Sequence, residues 1–468
     1  MNSARRSRFG HAVVCGGGFA GLLTAHVLSE VFDRVTLVER DPLSGEGGVR
    51  PGVPQAYHGH GMAARGAQIL EELFPGLREE LREVGAPVFD AGTAVPVLMP
   101  AGWTPRTVTG VQLQFFSRAA LEDRIRARVL AQSRITVLDR HEAHGLSTEG
   151  GRAASGVSVR PVRAGPGTAG ESRTIAADLV VDAQGRSSRL PRWLSEAGSP
   201  QPPSSVVDAR YAYASRLYAQ PASPPPEWVC TLQMTYAPSV RRGGAVAAVE
   251  GGRWIVSLMG AAGDLPPTTP HEFEAFAAAL ENPYVAQAMR LGQPLSPVRR
   301  FTRLTNRWHR YDRLGGRHMG RLVVIGDALC TFNPVYGHGM TVAAVQALIL
   351  RDVLRARLRN GGLDGVSRIF QRRAARAVRL PWLIATSSDL GWQDRTPGPF
   401  TRLVRWYVGY VLAAIVHDTE VYLQFLRVQH MLTGPTALLR PRVLLAILGQ
   451  FAASLLRKPS TEPARPSA

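Results

Sequence analysis

Lysine is almost missing from this chain of 468 residues: Lys458 stands alone, and arginine carries the rest of the positive charge. Acids are also scarce, 36 against 55 basic residues, for a formal net charge of +19. Such a balance ordinarily suggests nucleic acid or an anionic surface, but the arginines are scattered and form no basic motif interleaved with aromatics, so no nucleic-acid partner is expected. Coding bias toward Arg, Ala, Gly and Pro accounts for the charge more simply. Cysteine is limited to Cys15, Cys230 and Cys330, without C-x-x-C spacing or an even framework, which argues against disulfides and metal ligation and for a reducing compartment. Long apolar runs are lacking too. The uncharged stretches 406–416 and 443–456 fall short of the roughly 20 residues a spanning helix needs. The apolar run behind the basic N-terminus is too short for a signal sequence, so a cytoplasmic protein is expected. At this length two domains, possibly interleaved in sequence, are anticipated.

Glycine, by contrast, is abundant and placed with purpose. His11 to Arg40, HAVVCGGGFAGLLTAHVLSEVFDRVTLVER, reads as strand, glycine turn, helix and second strand. Gly16, Gly18 and Gly21 fall on G-x-G-x-x-G: the first makes the tight turn, the second lets backbone approach a pyrophosphate, and the third lets helix pack on strand. The helix N-terminus then offers free N–H groups and a positive dipole end to phosphate. Glu39, 18 residues beyond Gly21, stands where a carboxylate for a ribose hydroxyl is expected. The competing reading is an ordinary glycine-rich turn.

Residues 41–61, DPLSGEGGVRPGVPQAYHGHG, form a loop too long for a mere connection, with Arg50, Gln55, His58 and His60 able to reach a ligand. A helix is predicted over 62–84 with a break at Pro75-Gly76. Ser117 caps another helix with the stripe Leu121, Ile125 and Val129. Arg118 in its first turn opposes the helix dipole, so it is either solvated or holds an anion. From 135 to 181 the pattern is β, with a flexible spacer at 164–172, and the last strand runs into Asp182, Gly185 and Arg186. Residues 198–299 change character: Pro-rich segments flank strands, Gly251-Gly252 signals a hairpin, and Thr269-Pro-His-Glu272 reads as a capping box opening a helix to about Leu291. The strands at 211–218, 228–236 and 254–259 offer aromatic and apolar side chains to a ligand. The βα pattern then returns in RLVVIGDALCTFNPVYGHGM, with Asp327 at a strand end, Gly337 and Gly339 at the next helix start, and Asn360-Gly361 as its stop.

G-x-G-x-x-G at 16–21, D-x-x-G-R-S at 182–187 and G-D-A-x5-P-x2-G-x-G at 326–339, in that order and with a sheet region before the last, resemble the group A flavoprotein monooxygenases, the para-hydroxybenzoate-hydroxylase-like superfamily. VRPGVPQAYHGH and GDALCTFNPVYGHGM are most similar to bacterial flavin epoxidases of polyether biosynthesis, themselves similar to squalene epoxidase. The resemblance covers roughly residues 10–390. It implies non-covalent FAD, NAD(P)H as a transient reductant, and O2 activated as a C4a-hydroperoxide that delivers one oxygen atom. It also implies an α/β (mixed α+β) fold: a Rossmann-like FAD-binding domain from 1–90, 105–197 and 300–395, and an inserted antiparallel-sheet substrate domain from 91–104 and 198–299. Beyond the resemblance, the uncharged runs 406–416 and 443–456 lead us to expect a separate helical C-terminal region, 396–468. Gly16, Gly18, Ala20 and Gly21 would surround the pyrophosphate, with Glu39 and Arg40 on the ribose side. Arg118 would serve the phosphates, Asp182 the cofactor through the second motif, and Asp327 the pyrophosphate and ribityl chain. Pro334, Gly337, Gly339 and Met340 would lie by the isoalloxazine. No side chain is assigned the chemistry, which belongs to the flavin; His58, Pro334 and His338 are the candidates to assist it.

The implied reaction is epoxidation of an alkene in a lipophilic polyketide or isoprenoid, a step of secondary metabolism such as antibiotic biosynthesis. Aromatic hydroxylation is the rival, for which His58, His60 or His338 would act as base. Ala183-Gln184 departs from the Asp-Gly of the hydroxylases, and the looser form is shared with flavin halogenases and geranylgeranyl reductases. The W-x-W-x-I-P of tryptophan-type halogenases and the Y-x-W-x-F-P of the reductases are both missing. No stable nicotinamide site is expected, since WIVSLMGAAGD runs into Pro266-Pro267 and not into a helix. Arg440, Arg442, Arg457 and Lys458 flank the apolar run 443–456, which suits either a helix packed on the protein or one lying peripherally on a membrane surface.

Overall fold

Phe9–Cys15 forms a strand that is buried from Ala12 onward, since its apolar run lies between two neighbours and under helices. In this computed structural model the described residues are 8–43, 50, 52–162, 171–222, 228–302, 304–359, 362–393 and 398–456. The stop signal Asn360-Gly361, most of the spacer at 164–172, and Arg457 and Lys458 lie outside them. The first strand pairs in parallel with Phe32–Val38 on one side and Leu179–Asp182 on the other. Ile135–Leu138 and Leu322–Val324 complete a five-stranded parallel sheet at its two edges. Near-continuous Val and Leu in these strands is what burial on both faces demands. The chain leaves the first strand toward Phe32–Val38 and only later fills the opposite side, so the end of the first strand is a topological switch point, where α/β sheets open a crevice. The fold is thus mixed α/β, Rossmann-type, with additional antiparallel sheets.

The largest of those has eight strands. Ala212–Ala219, Arg253–Gly260, Arg242–Val249 and Cys230–Gln233 pair antiparallel in sequence, and Val97–Met99 joins parallel to the last. Gly251 and Gly252 both take positive φ in a three-residue turn between Val249 and Arg253. Side chains alternate across this sheet. Tyr218, Trp228, Val246, Trp254, Val256 and Leu258 pack beneath the helices Pro270–Ala278 and Pro283–Leu291, while Tyr213, Leu232, Ala245, Ala247 and Met259 face the other way. Of the aromatic and apolar side chains expected to be offered to a ligand, Trp228 and Trp254 instead take the helix-covered phase, while Tyr213, Leu232 and Met259 face the other way.

Local departures have local causes. The helix expected from Thr269 to Leu291 is two helices, because Asn282-Pro283 restarts it, the Asn282 side chain accepting from the Tyr284 N–H at 3.0 Å. The capping box does not form: the Thr269 hydroxyl donates to Glu272 and caps no backbone N–H. Pro75-Gly76 does divide its helix, into Ala64–Leu73 and Leu77–Glu83, with Gly76 at φ 82°.

Pro399–Ala414, Thr419–Gln429 and Pro441–Leu456 are helices that pack on the protein. Val411, Ile415, Tyr422, Val443 and Ile447 are buried with Phe89, Val95, Met99 and Leu113 in one apolar cluster. No helix among the described residues is long and apolar enough to cross a membrane.

Candidate functional site

The three motifs, separated by about 160 and about 140 residues in sequence, meet at the switch point. Gly16 has φ 105°, and a Cβ there would lie 2.5 Å from the Ala183 carbonyl oxygen, so the first loop rides on the second. Gly326 has φ 65°, and a Cβ there would come 2.7 Å from Cβ of Ala20, so the third loop rests on the first helix. Gly185 and Gly339 both approach Asp327. Gly21 packs so closely that a Cβ would reach 1.7 Å from the Gly16 oxygen, whereas a Cβ on Gly18 would meet nothing within 4 Å. That open space before the Phe19–Ser29 helix, into which its first N–H groups point, is a cradle for an anion. Facing it from the third loop, Asp327 is partly buried and its carboxylate accepts from no described residue. Burial raises its pKa, while Arg186 and Arg118 pull it down.

Glu39 lies beneath the cradle, but its oxygens are engaged: one accepts from the Gly17 N–H at 2.5 Å, the other from Asp41 at 3.0 Å. Arg50 adds an ion pair at 3.7 Å and reaches Glu122 at 3.1 Å, and Arg118 donates through Nε to Glu122 at 2.7 Å. Burial alone would raise the Glu122 pKa, yet Arg118 and Arg50 outweigh it and hold the carboxyl low. Arg118, expected to be solvated or to hold a phosphate, is thus countered within its own helix. Arg40 is half exposed beside Asp41. Asp182, expected at the cofactor, has its carboxylate on its own turn, accepting from Gln184 N–H at 3.1 Å and Ser188 Oγ at 2.5 Å, and so shapes the second loop.

Beyond this crevice opens a cavity of about 720 Å³. His58 to Ala63 and Pro334 to Gly337 form the end nearest the third loop. The cavity-facing side of the eight-stranded sheet supplies Tyr213, Leu232 and Met259, and the C-terminal helices supply Trp406, Val411, Tyr422 and Phe425. Gly337 (φ 69°) brings its loop against Gly61, tying the two Gly and Pro-rich loops together. Gly339 starts the 21-residue helix that follows and Met340 is buried in it.

Among the histidines considered as helpers, His58 bonds Ser215 Oγ at 2.9 Å and packs edge-on against Tyr213. Burial pushes its pKa down to about 4, and burial with Arg118 pushes that of His60 down to about 3. Both are neutral and poor bases at ordinary pH. His338 is corrected more sharply: it is fully buried, does not line the cavity, and bonds the Gln429 carbonyl at 3.1 Å, fastening the third loop to the 419–429 helix.

One site group carries no local signature in sequence. Asp389, fully buried at the end of the 24-residue helix Val366–Asp389, accepts from Tyr336 Oη at 2.5 Å, Asn306 Nδ2 at 2.5 Å and Asn333 Nδ2 at 3.3 Å. Burial raises its pKa to about 6. Tyr211 stands beside Tyr336 and bonds Thr235, so one end of the apolar cavity carries a linked polar cluster. Its signal lies only in spatial pairing across 53 to 83 residues.

Solved flavoenzymes share this fold. The flavin-dependent brominase Bmp2 aligns with TM-score 0.65 at 12% identity, over 95% of this chain and 100% of that one. A flavoprotein/dehydrogenase from Cytophaga hutchinsonii aligns with TM-score 0.66 at 15% identity, over 95% and 100%. PqsL, a probable FAD-dependent monooxygenase from Pseudomonas aeruginosa, aligns with TM-score 0.59 at 18% identity, over 81% and 97%. At such identities the likeness is one of fold. No protein-family model matches the chain. In sequence it is 33% identical over 402 residues to protein Rv3254 of Mycobacterium tuberculosis, covering 85% of this chain and 83% of that protein. The chain belongs to the family of protein Rv3254.

Proposed function

We propose that the protein is an FAD-dependent monooxygenase that uses NAD(P)H and O2 to place one oxygen atom on a lipophilic substrate, and that the reaction is epoxidation of a polyketide or isoprenoid alkene. The observation that carries this is the double role of residues 334–337, which wall the apolar cavity while leading directly into Gly339, whose backbone approaches the Asp327 carboxylate. The residues fit the cofactor: Gly18 leaves room for a pyrophosphate, and Asp327 has an oxygen to offer hydroxyls. Arg118 and Arg186 balance charge there. In this reading 1–90, 105–197 and 300–395 bind FAD, and 91–104 with 198–299 cover it. Bound FAD would supply electron transfer from the nicotinamide to O2 and delivery of one oxygen atom. The protein's own part is to exclude water, through Leu232, Met259, Val411 and Phe425, and to orient the alkene.

Hydroxylation of a phenol is a second reading, favoured by the Tyr336–Asp389 pair at the cavity's polar end, which could receive a phenolic proton where the depressed histidines could not. Halogenation is the third, from the fold neighbours alone. Incubating enzyme, FAD, NADPH and ¹⁸O2 with lipophilic alkenes and phenols separates them. One labelled oxygen on an intact alkene skeleton is expected; turnover confined to phenols, or a halide-dependent product, overturns epoxidation. The cofactor assignment is tested apart from turnover: Asp327→Ala should lose bound FAD on gel filtration while keeping its circular dichroism spectrum, and a flavin absorbance equal to wild type rejects the site.

A further inference from the structure

The C-terminal helices bury one face and leave another bare. On Pro399–Ala414, Phe400 is 69% exposed, Leu403 60% and Trp406 45%, a stripe at helical spacing; on Pro441–Leu456, Leu445 is 68% and Leu448 58% exposed. The two helices lie side by side, Trp406 and Tyr410 against Phe451 and Val411 with Val443, so these residues belong to one region of the surface. Nearly half of the exposed large hydrophobics among the described residues sit on these two helices and the turn before the second. Singly exposed Leu needs no explanation, but a concentration of this kind marks a binding face.

Charge names the partner. Residues 398–417 and 429–456 contain no Asp or Glu, while Arg402, Arg440 and Arg442 are exposed at the margins of the apolar stripes. A second copy of the chain would bring the same arginines against them, and like charges would oppose closure. A face that is apolar at its centre, cationic at its rim and carries an exposed Trp has the composition of an interfacial helix on anionic lipid. The face also adjoins the cavity, since Arg402, Arg405 and Trp406 line it.

We infer that the 399–414 and 441–456 helices form a monotopic membrane-binding face, seating the protein on an anionic bilayer surface with the cavity opening toward the lipid. A lipophilic molecule then passes from bilayer to cavity without crossing bulk water. This goes beyond the oxidative reading and does not depend on it, because lipid binding needs no turnover.

The test is co-sedimentation of the full-length protein with phosphatidylcholine vesicles, with and without phosphatidylglycerol, for wild type and for Leu445→Asp/Leu448→Asp. These positions are exposed, so the variant should keep the wild-type melting curve and bound flavin. Wild type is expected to bind the anionic vesicles, more weakly as salt rises, and the variant to lose about tenfold or more of that affinity. A second variant, Phe400→Ser/Leu403→Ser, should reproduce the loss. Failure of wild type to bind anionic vesicles overturns the inference, as does equal binding by either folded variant. Wild-type dimers in solution that Leu445→Asp/Leu448→Asp dissolves, without vesicle binding, would assign the face to a second copy instead.

Discussion

Two glycines of one motif predict opposite phenotypes. A side chain at Gly18 enters open space, so Gly18→Val should fold with a melting temperature near wild type and yet fail to retain FAD, because the methyls fill the cradle. At Gly21 the same change drives Cβ into the Gly16 carbonyl, and a loss above about 4 kcal/mol, or no folded protein, is expected in denaturant titration. Asp389 makes a prediction in pH. Its folded pKa, about 6, lies above the roughly 3.9 of an unfolded Asp, so the fold binds its proton more tightly. That contribution is fully present below pH 4 and is lost as pH rises through 6, on the order of 3 kcal/mol. Asp389→Asn should therefore flatten stability between pH 4 and 6 in thermal scans. It should also remove any inflection near pH 6 from the rate profile; an unchanged inflection would assign it elsewhere.

At the level of elements, the C-terminal helices are structural before they are anything else. Ile447 is 3% exposed and packs in the cluster that joins the tail to Met99 and Leu113. Ile447→Ala should cost about 2 to 4 kcal/mol, read as faster proteolysis within 398–456 than elsewhere. Elements were legible where their chemistry is local. The glycine turns after the strands, the divided helix at Pro75-Gly76 and the Ser117 cap, which accepts from Ala120 at 3.1 Å, rest on residues that few other conformations suit. Phase was not legible: a run such as Arg253–Gly260 announces alternation, but nothing in it says whether Trp254 or Met259 faces a ligand. Only the packing of two helices from residues 270–291 against one side decides that.

For the whole molecule, the crevice could be read from the chain because its three loops each carry their own glycines and carboxylates, and only their meeting had to be inferred. The cavity could not. Its walls come from residues 58–63, 91–115, 213–259, 334–337 and 384–438, with no motif in most of them, and the cluster on Asp389 exists only once Asn306, Asn333 and Tyr336 have gathered. The parallel sheet, meanwhile, imposes an order of events during synthesis. Leu179–Asp182 must wait for its edge partner Leu322–Val324 while six of the eight strands of the antiparallel sheet emerge between them. The antiparallel unit can therefore form by near-neighbour pairing while the nucleotide sheet still has an open edge, a template for wrong pairing that a nascent chain must keep covered. Cofactor capture then waits on the third loop and the helices behind it that close the cavity, since these follow the first two loops in the chain.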